Sequence, residues 1–293
     1  MDSDNLMWRA AMLRSEAVES RPAPGWAAGT SPVDQRRAQV ECARILDDAG
    51  IRPGDHVVNL GDETALLTLE ALRRVGSSGS VSTVTPVVPP IRQARPIPDG
   101  GTARWIGTDP SILDIPSASA QVVVGSGVFA YWSPLRGLMT EAARVLQVGG
   151  RLSICEPLHA ERHMDIGWQG ISRSEVHFVH AAVANSIPAL RAAHLFSERG
   201  IVLSGQLVGL DAGLPRFDSV TTDLRDADSV KAYLLRPVTP GGLSTEAMMR
   251  KVIRDQSLIS RYEHALFLGA EQSGVRITER VMHLTAVRRV LSP

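Results

Sequence analysis

The tightest constraint on this chain lies between Gly54 and Pro86. There Gly54-Asp55-His56-Val57-Val58-Asn59-Leu60-Gly61-Asp62-Glu63-Thr64-Ala65 precedes an apolar-periodic run, which leads into Gly79-Ser80-Val81-Ser82-Thr83-Val84-Thr85. His56 to Leu60 is short, apolar and rich in β-branched residues, as expected of a strand buried on both faces. Leu66, Leu67, Leu69, Ala71, Leu72 and Val75 form the apolar face of a helix. Asp62 and Thr64 can cap that helix, and Gly76 sits where it should stop. Strand, tight turn, helix and strand predict a βαβ unit. Such a unit holds a nucleotide-like ligand at its helix N-terminus, outside the carboxyl end of the first strand.

The flanking sequence extends this pattern. Ser31-Pro32-Val33-Asp34 is a helix start, with a capping serine, proline at the first helical position and an acid in the first turn. That helix runs to Ala49 and stops at Gly50. Asn5 to Ser20 predicts an earlier amphipathic helix. After the second strand, Pro86, Pro89, Pro90, Pro96 and Pro98 exclude a regular helix, because each interior proline costs ~3 kcal/mol. Further strands are expected at Ala103–Gly107, Gln121–Gly125, Arg151–Glu156, Ile201–Leu210 and Val275–Val290, with a helix over Leu135–Leu146. A long helix is expected from Ser244 to near Gly274, its stripe being Met248, Val252, Ile259, Tyr262 and Leu266. This order indicates an α/β protein with a doubly wound, mostly parallel sheet.

Composition narrows the partners. The 293 residues carry a formal net charge of zero, which argues against nucleic acid or an anionic membrane as the main partner. No apolar run approaches the ~18 residues of a membrane span, and no basic-then-apolar signal opens the chain, so a cytoplasmic protein is expected. Cys42 and Cys155 read as reduced, buried residues.

The layout resembles the class I S-adenosylmethionine-dependent methyltransferases, in particular the small-molecule branch of the ubiquinone-synthesis type. Val57 to Ala65 is similar to the family's first motif. More specific is Leu138-Met139-Thr140-Glu141-Ala142-Ala143-Arg144-Val145-Leu146-Gln147-Val148-Gly149-Gly150-Arg151-Leu152, similar to the helix, Arg-Val-Leu and Gly-Gly turn that lead the family's fifth strand. The resemblance covers roughly residues 40–160 and, loosely, the last strand. It implies a seven-stranded Rossmann-like sheet with helical lid insertions: an N-terminal helical cap over 1–50, a cofactor-binding core over 51–156, a lid over 157–200, and C-terminal core strands over 201–293 with an insertion at 211–272. It implies S-adenosylmethionine held by Asn59, Gly61, Asp62, Glu63, Thr64, Thr85, Thr108, Asp109 and Ser126.

The sequence also departs from the family. Asn59 stands where an acid is usual, Glu63 and Ala65 where glycines are usual, and Thr85 where a carboxylate takes the ribose hydroxyls. Gln121 replaces a usual aspartate. Each hydrogen bond lost to an ionised group is worth ~1.5–3 kcal/mol, so the cofactor site is expected to be weakened. Three functions therefore stand beside one another: methyl transfer to a small biosynthetic acceptor, a cyclisation or rearrangement on the same fold, and non-catalytic support of an intact methyltransferase partner. A homodimer is a further possible assembly.

Among chemistry-bearing residues, Glu156 falls at the carboxyl end of the fifth strand, where such sheets present site residues. His177 is a candidate base for a substrate hydroxyl or amine, with His180 near the same helix face. His159 belongs to His159-Ala160-Glu161-Arg162-His163, whose order is not that of a zinc protease helix, and no metal is expected. Tyr131, Trp132 and Trp168 are expected to line an apolar substrate pocket.

Overall fold

A computed structural model describes residues 32–61, 66–85, 102–107, 112–128, 135–167, 169–186, 197–236, 238 and 243–290; for 32–37, 85 and 107 only the backbone is described. The chain divides into two compact units. The first takes residues up to Glu156, then Glu198–Arg216, then Met282 onward; the second takes Pro157–Ser197 and Phe217–Val281.

The first unit opens with helix α1 (Pro32–Ala49), strand β1 (His56–Leu60), helix α2 (Leu66–Val75) and strand β2 (Ser80–Thr85). Strand β3 (Thr102–Gly107) and strand β4 (Ala120–Ser126) follow, then helix α3 (Leu135–Val145) and strand β5 (Leu146–Pro157). β1 lies parallel to β2 and to β4, with His56 opposite Ser80 and Val57 opposite Val122. β2 is parallel to β3, and β4 to β5. Val57, Val58, Val81, Val122, Val123 and Val124 are wholly buried, as a parallel sheet covered on both faces demands. Ser153 Oγ donates to the Ile45 carbonyl at 2.8 Å, tying α1 to β5.

The α2–β2 turn leaves no room for a side chain. A Cβ on Gly79 would lie 2.4 Å from Val75 Cβ and 2.8 Å from the Asp55 carbonyl oxygen. The turn backbone would have to shift. Gly79→Ala is expected to cost about 1–3 kcal/mol, read as a lower urea midpoint with an unchanged slope.

The remaining elements revise several expectations. Ile201–Leu210 is not a strand: helix α5 (Glu198–Gln206) occupies most of it, followed by the short strand β7 (Leu210–Ala212). Its β-branched run suggested extension, but Ile201 and Gly205, one helical turn apart, are the buried positions. Gly205 faces α3: a Cβ there would sit at ordinary van der Waals distance, 3.9 Å, from Met139 Cε. β7 pairs antiparallel with strand β9 (Val275–Arg288), Leu210 opposite Arg288.

The second unit has its own core, centred on Tyr262, Ile259, Leu266, Met249 and Val179. It contains strand β6 (His163–Asp165), helix α4 (Arg173–Ser186), most of strand β8 (Arg216–Leu224), and helices α6 (Ala227–Leu235), α7 (Thr245–Val252) and α8 (Gln256–Gln272). The long helix expected from Ser244 is thus two. Ile253 is extended, and the Asp255 carboxylate caps a fresh start by accepting from the Ser257 and Leu258 amides. The expected insertion at 211–272 carries strand β8 as well as helices. Together the described residues form nine strands, not seven, in the order β3-β2-β1-β4-β5-β9-β6, with β7 and β8 also pairing β9. The expected Asn5–Ser20 helix and the Pro86–Pro98 loop lie outside the described residues. No described helix is long and apolar enough to cross a membrane.

Candidate functional site

In the first unit the order β3-β2-β1-β4-β5 reverses direction between β1 and β4. Open parallel sheets bind ligands in the crevice at such a switch point, outside the carboxyl ends of the strands. Leu60 stands opposite Gly125 at that edge. A Cβ on Gly125 would lie 2.5 Å from Val128 Cγ2 and 3.2 Å from the Leu60 carbonyl oxygen, so glycine lets the two strands end side by side. Gly61 follows in the left-handed region at φ +78°, its N–H donating to the Val84 carbonyl at 2.8 Å. Among the described residues, the nearest heavy atom to a Cβ built on Gly61 is the Ser126 carbonyl oxygen, 3.9 Å away. The Ser126 hydroxyl is buried without a hydrogen-bond partner among the described residues.

Two neighbouring groups hold this edge in place. Asn59 is wholly buried and donates its amide to Thr68 Oγ1 at 3.0 Å; Thr68 in turn shares a 2.7 Å hydrogen bond with Thr83. That amide therefore braces β1, α2 and β2 from below. Glu156 is buried, and its carboxylate accepts from the Val128 amide at 2.7 Å. Gly127 N–H donates to the Cys155 carbonyl at 2.8 Å. Both contacts fix the course of the chain leaving β4.

Of the other expected cofactor contacts, Asp62, Glu63, Thr64, Thr108 and Asp109 lie outside the described residues, as does the side chain of Thr85. Tyr131, Trp132 and Trp168 lie outside them too. Within the described part, the Ser126 carbonyl is the heavy atom nearest a Cβ built on Gly61, and the Ser126 hydroxyl is a buried, unpartnered polar group on the same strand end. A polar ligand such as the adenosyl sulfonium implied by the resemblance would suit such a group.

The second unit carries a cleft of about 230 Å³, lined by Arg162, His163, Met164, Asp165, Ile166, Gly167, Ile171, Arg173, Val176, His177 and His180. His177 and His180 are brought together there. His177 is exposed. His180 Nε2 lies 2.8 Å from the hydroxyl of the wholly buried Tyr262, which lies 3.4 Å from the Tyr233 hydroxyl. Burial pushes the Tyr262 hydroxyl well above its ordinary pKa, so this group stays protonated.

His159 does not join the cleft. Its Nδ1 lies 3.9 Å from Glu279 Oε1, which Arg162 Nε approaches to 3.4 Å. Burial alone would raise the Glu279 pKa, but the Arg162 guanidinium, with His159, overrides it and holds the carboxyl at about 2. Sequence reasoning missed Glu279, although a signal existed. Val275, Ile277 and Val281 alternate on the buried face of β9, and Glu279 falls in the same register.

No protein-family description matches the sequence, and no curated protein matches it. Among solved structures the chain is similar to the YcgJ protein of Bacillus subtilis, at 11% identity and a TM-score of 0.52, over 86% of this chain and 99% of that one. It is also similar to a proposed methyltransferase of Bacillus halodurans, at 9% identity and a TM-score of 0.50, over 86% of this chain and 100% of that one. The chain has the class I methyltransferase fold.

Proposed function

On this class I methyltransferase fold, we propose that the chain transfers a methyl group from S-adenosylmethionine to a small-molecule acceptor. The observation that supports this reading is the β1–β4 switch point, where among the described residues a Cβ built on Gly61 would meet nothing nearer than the Ser126 carbonyl oxygen and the Ser126 hydroxyl is buried without a partner. The bound cofactor supplies a methyl group made electrophilic by its sulfonium. The chain's own residues do the rest by placement, which can be worth ~7–11 kcal/mol when two reactants are held aligned. Gly61 leaves space and Ser126 offers a hydroxyl. The Asn59–Thr68–Thr83 chain and the Glu156–Val128 contact keep the rim rigid. Asp62, Glu63, Thr64, Thr85, Thr108 and Asp109 complete the proposed cofactor set.

A second reading keeps the fold without methyl transfer, and the substitutions at Glu63, Ala65 and Thr85 favour it. Ser126→Ala separates the two. Under the first reading S-adenosylmethionine affinity falls about two- to tenfold, the equivalent of ~0.5–1.5 kcal/mol for one neutral hydrogen bond. Stability without ligand stays unchanged or rises slightly, because a buried hydroxyl without a partner is removed. Calorimetric titration and thermal melting of both proteins read the two effects. Equal affinity in the two proteins would contradict the assignment of Ser126, and no binding to either would favour the second reading.

A further inference from the structure

Three donor-bearing side chains from distant parts of the sequence meet inside the first unit. Glu41 lies on α1, Cys155 on β5 and His283 on β9. One ligand atom from each, a carboxylate oxygen, a thiol sulfur and an imidazole nitrogen, lies within 4.8 Å of both others. All three residues are buried, at 8%, 0% and 6% exposure. Ala38, Cys42, Ile45 and Leu46 on α1, Ile154 on β5, and Met282 and Leu284 on β9 are buried as well, and the Glu156 carboxylate and the Cys42 thiol lie close enough to act electrostatically on Cys155. Cys155 Sγ is in direct contact with Glu41 Oε1.

Grouping three ionisable residues in an apolar core is costly unless they are matched to one another or to a cation. The donor set selects the cation. Calcium and magnesium take oxygen ligands, so a sulfur and an imidazole nitrogen exclude them. Zinc accepts all three donor types, at ~2.0–2.3 Å, and a set of three protein ligands leaves its fourth position to water, as in open zinc sites.

We propose that Glu41, Cys155 and His283 bind one zinc ion that fastens α1 to β5 and β9. The charges balance: the ion carries two positive charges, the Cys155 thiolate and Glu41 carboxylate one negative charge each, and His283 binds as neutral imidazole. Loading releases the thiol proton to solvent and involves no change of oxidation state. None of the residues in the proposed cofactor set belongs to this site, although Cys155 stands opposite Ser126 in the β4–β5 register.

The test uses the full chain, loaded with zinc sulfate and dialysed, with metal content measured by inductively coupled plasma mass spectrometry. About one equivalent is expected, with a melting temperature that falls on chelation and recovers when zinc is returned. Cobalt in place of zinc should give a thiolate-to-metal charge-transfer band that Cys155→Ser abolishes. His283→Gln should weaken zinc binding at least about tenfold, the lower figure for losing a group one step further from a metal. Should either variant fail to fold, the chelation cycle on the unaltered chain decides alone. Zinc absent after loading, or a melting temperature indifferent to chelation, would overturn the proposal. So would zinc retained equally by both variants, which would place it elsewhere.

Discussion

Glu279→Gln is expected to destabilise the chain by about 1–3 kcal/mol at pH 7, because it leaves the half-buried Arg162 guanidinium opposite a neutral group. The carboxylate is 6% exposed, whereas the Arg162 side chain is 31% exposed where it lines the cleft, so solvent screening reduces the effect below that of a fully buried pair. Acid should erase the difference. The pKa of Glu279 is depressed from 4.5 to about 2. A depressed carboxyl contributes stability that is present above its unfolded value and lost as pH falls toward the folded one. That contribution is on the order of 3 kcal/mol. Urea unfolding of both proteins between pH 7 and pH 3 should show a gap that narrows below about pH 4.5, the unfolded value. A gap independent of pH would contradict the pairing.

Gly61→Val should remove cofactor binding. The left-handed backbone at φ +78° costs an ordinary L residue about 1–2 kcal/mol, and a β-branched one is the least suited to it. The larger effect is occupancy. Among the described residues a Cβ on Gly61 meets nothing nearer than the Ser126 carbonyl, and two methyl groups would stand where the ligand is proposed to sit. A loss of at least about a hundredfold in S-adenosylmethionine affinity is expected, the equivalent of roughly 2.7 kcal/mol. Gly61→Asn separates the two causes, because asparagine tolerates this backbone region while still filling the crevice. It should retain most of the stability and lose the binding. Should Gly61→Asn bind as tightly as glycine, the crevice is not the cofactor site.

The parts of the fold visible in the sequence were those whose signals agree at every level. β1, α2 and β2 combine an apolar run, a helical stripe and a closing glycine, and they stand where the sequence places them, over His56–Leu60, Leu66–Val75 and Ser80–Thr85. Ile201–Leu210 was misread because a β-branched run looks alike in a buried strand and on a helix face. β8 escaped notice because only Val220 and Leu224 are buried along it, leaving no clean alternation. The break at Asp255 hides inside a stripe that continues across it, and only the capping geometry reveals two helices.

The site was less legible than the sheet. Gly61 and Ser126 follow from motif position, and both reach the switch point. Asn59 occupies the expected place, yet its amide is engaged by Thr68, which spacing alone could not show. The Glu279–Arg162 pair and the Glu41–Cys155–His283 group depend on contacts between residues more than a hundred positions apart, and no local pattern joins them. Glu41 carried a faint signal, one helical turn before Ile45 on the buried stripe of α1.

The central claim concerns the crevice between β1 and β4. Calorimetric titration of the unaltered chain with S-adenosylmethionine, repeated with Gly61→Asn, tests it most directly. The expected result is saturable binding at about one site per chain in the first and none in the second. No heat from the unaltered chain at millimolar ligand, with no rise in its melting temperature, would contradict it.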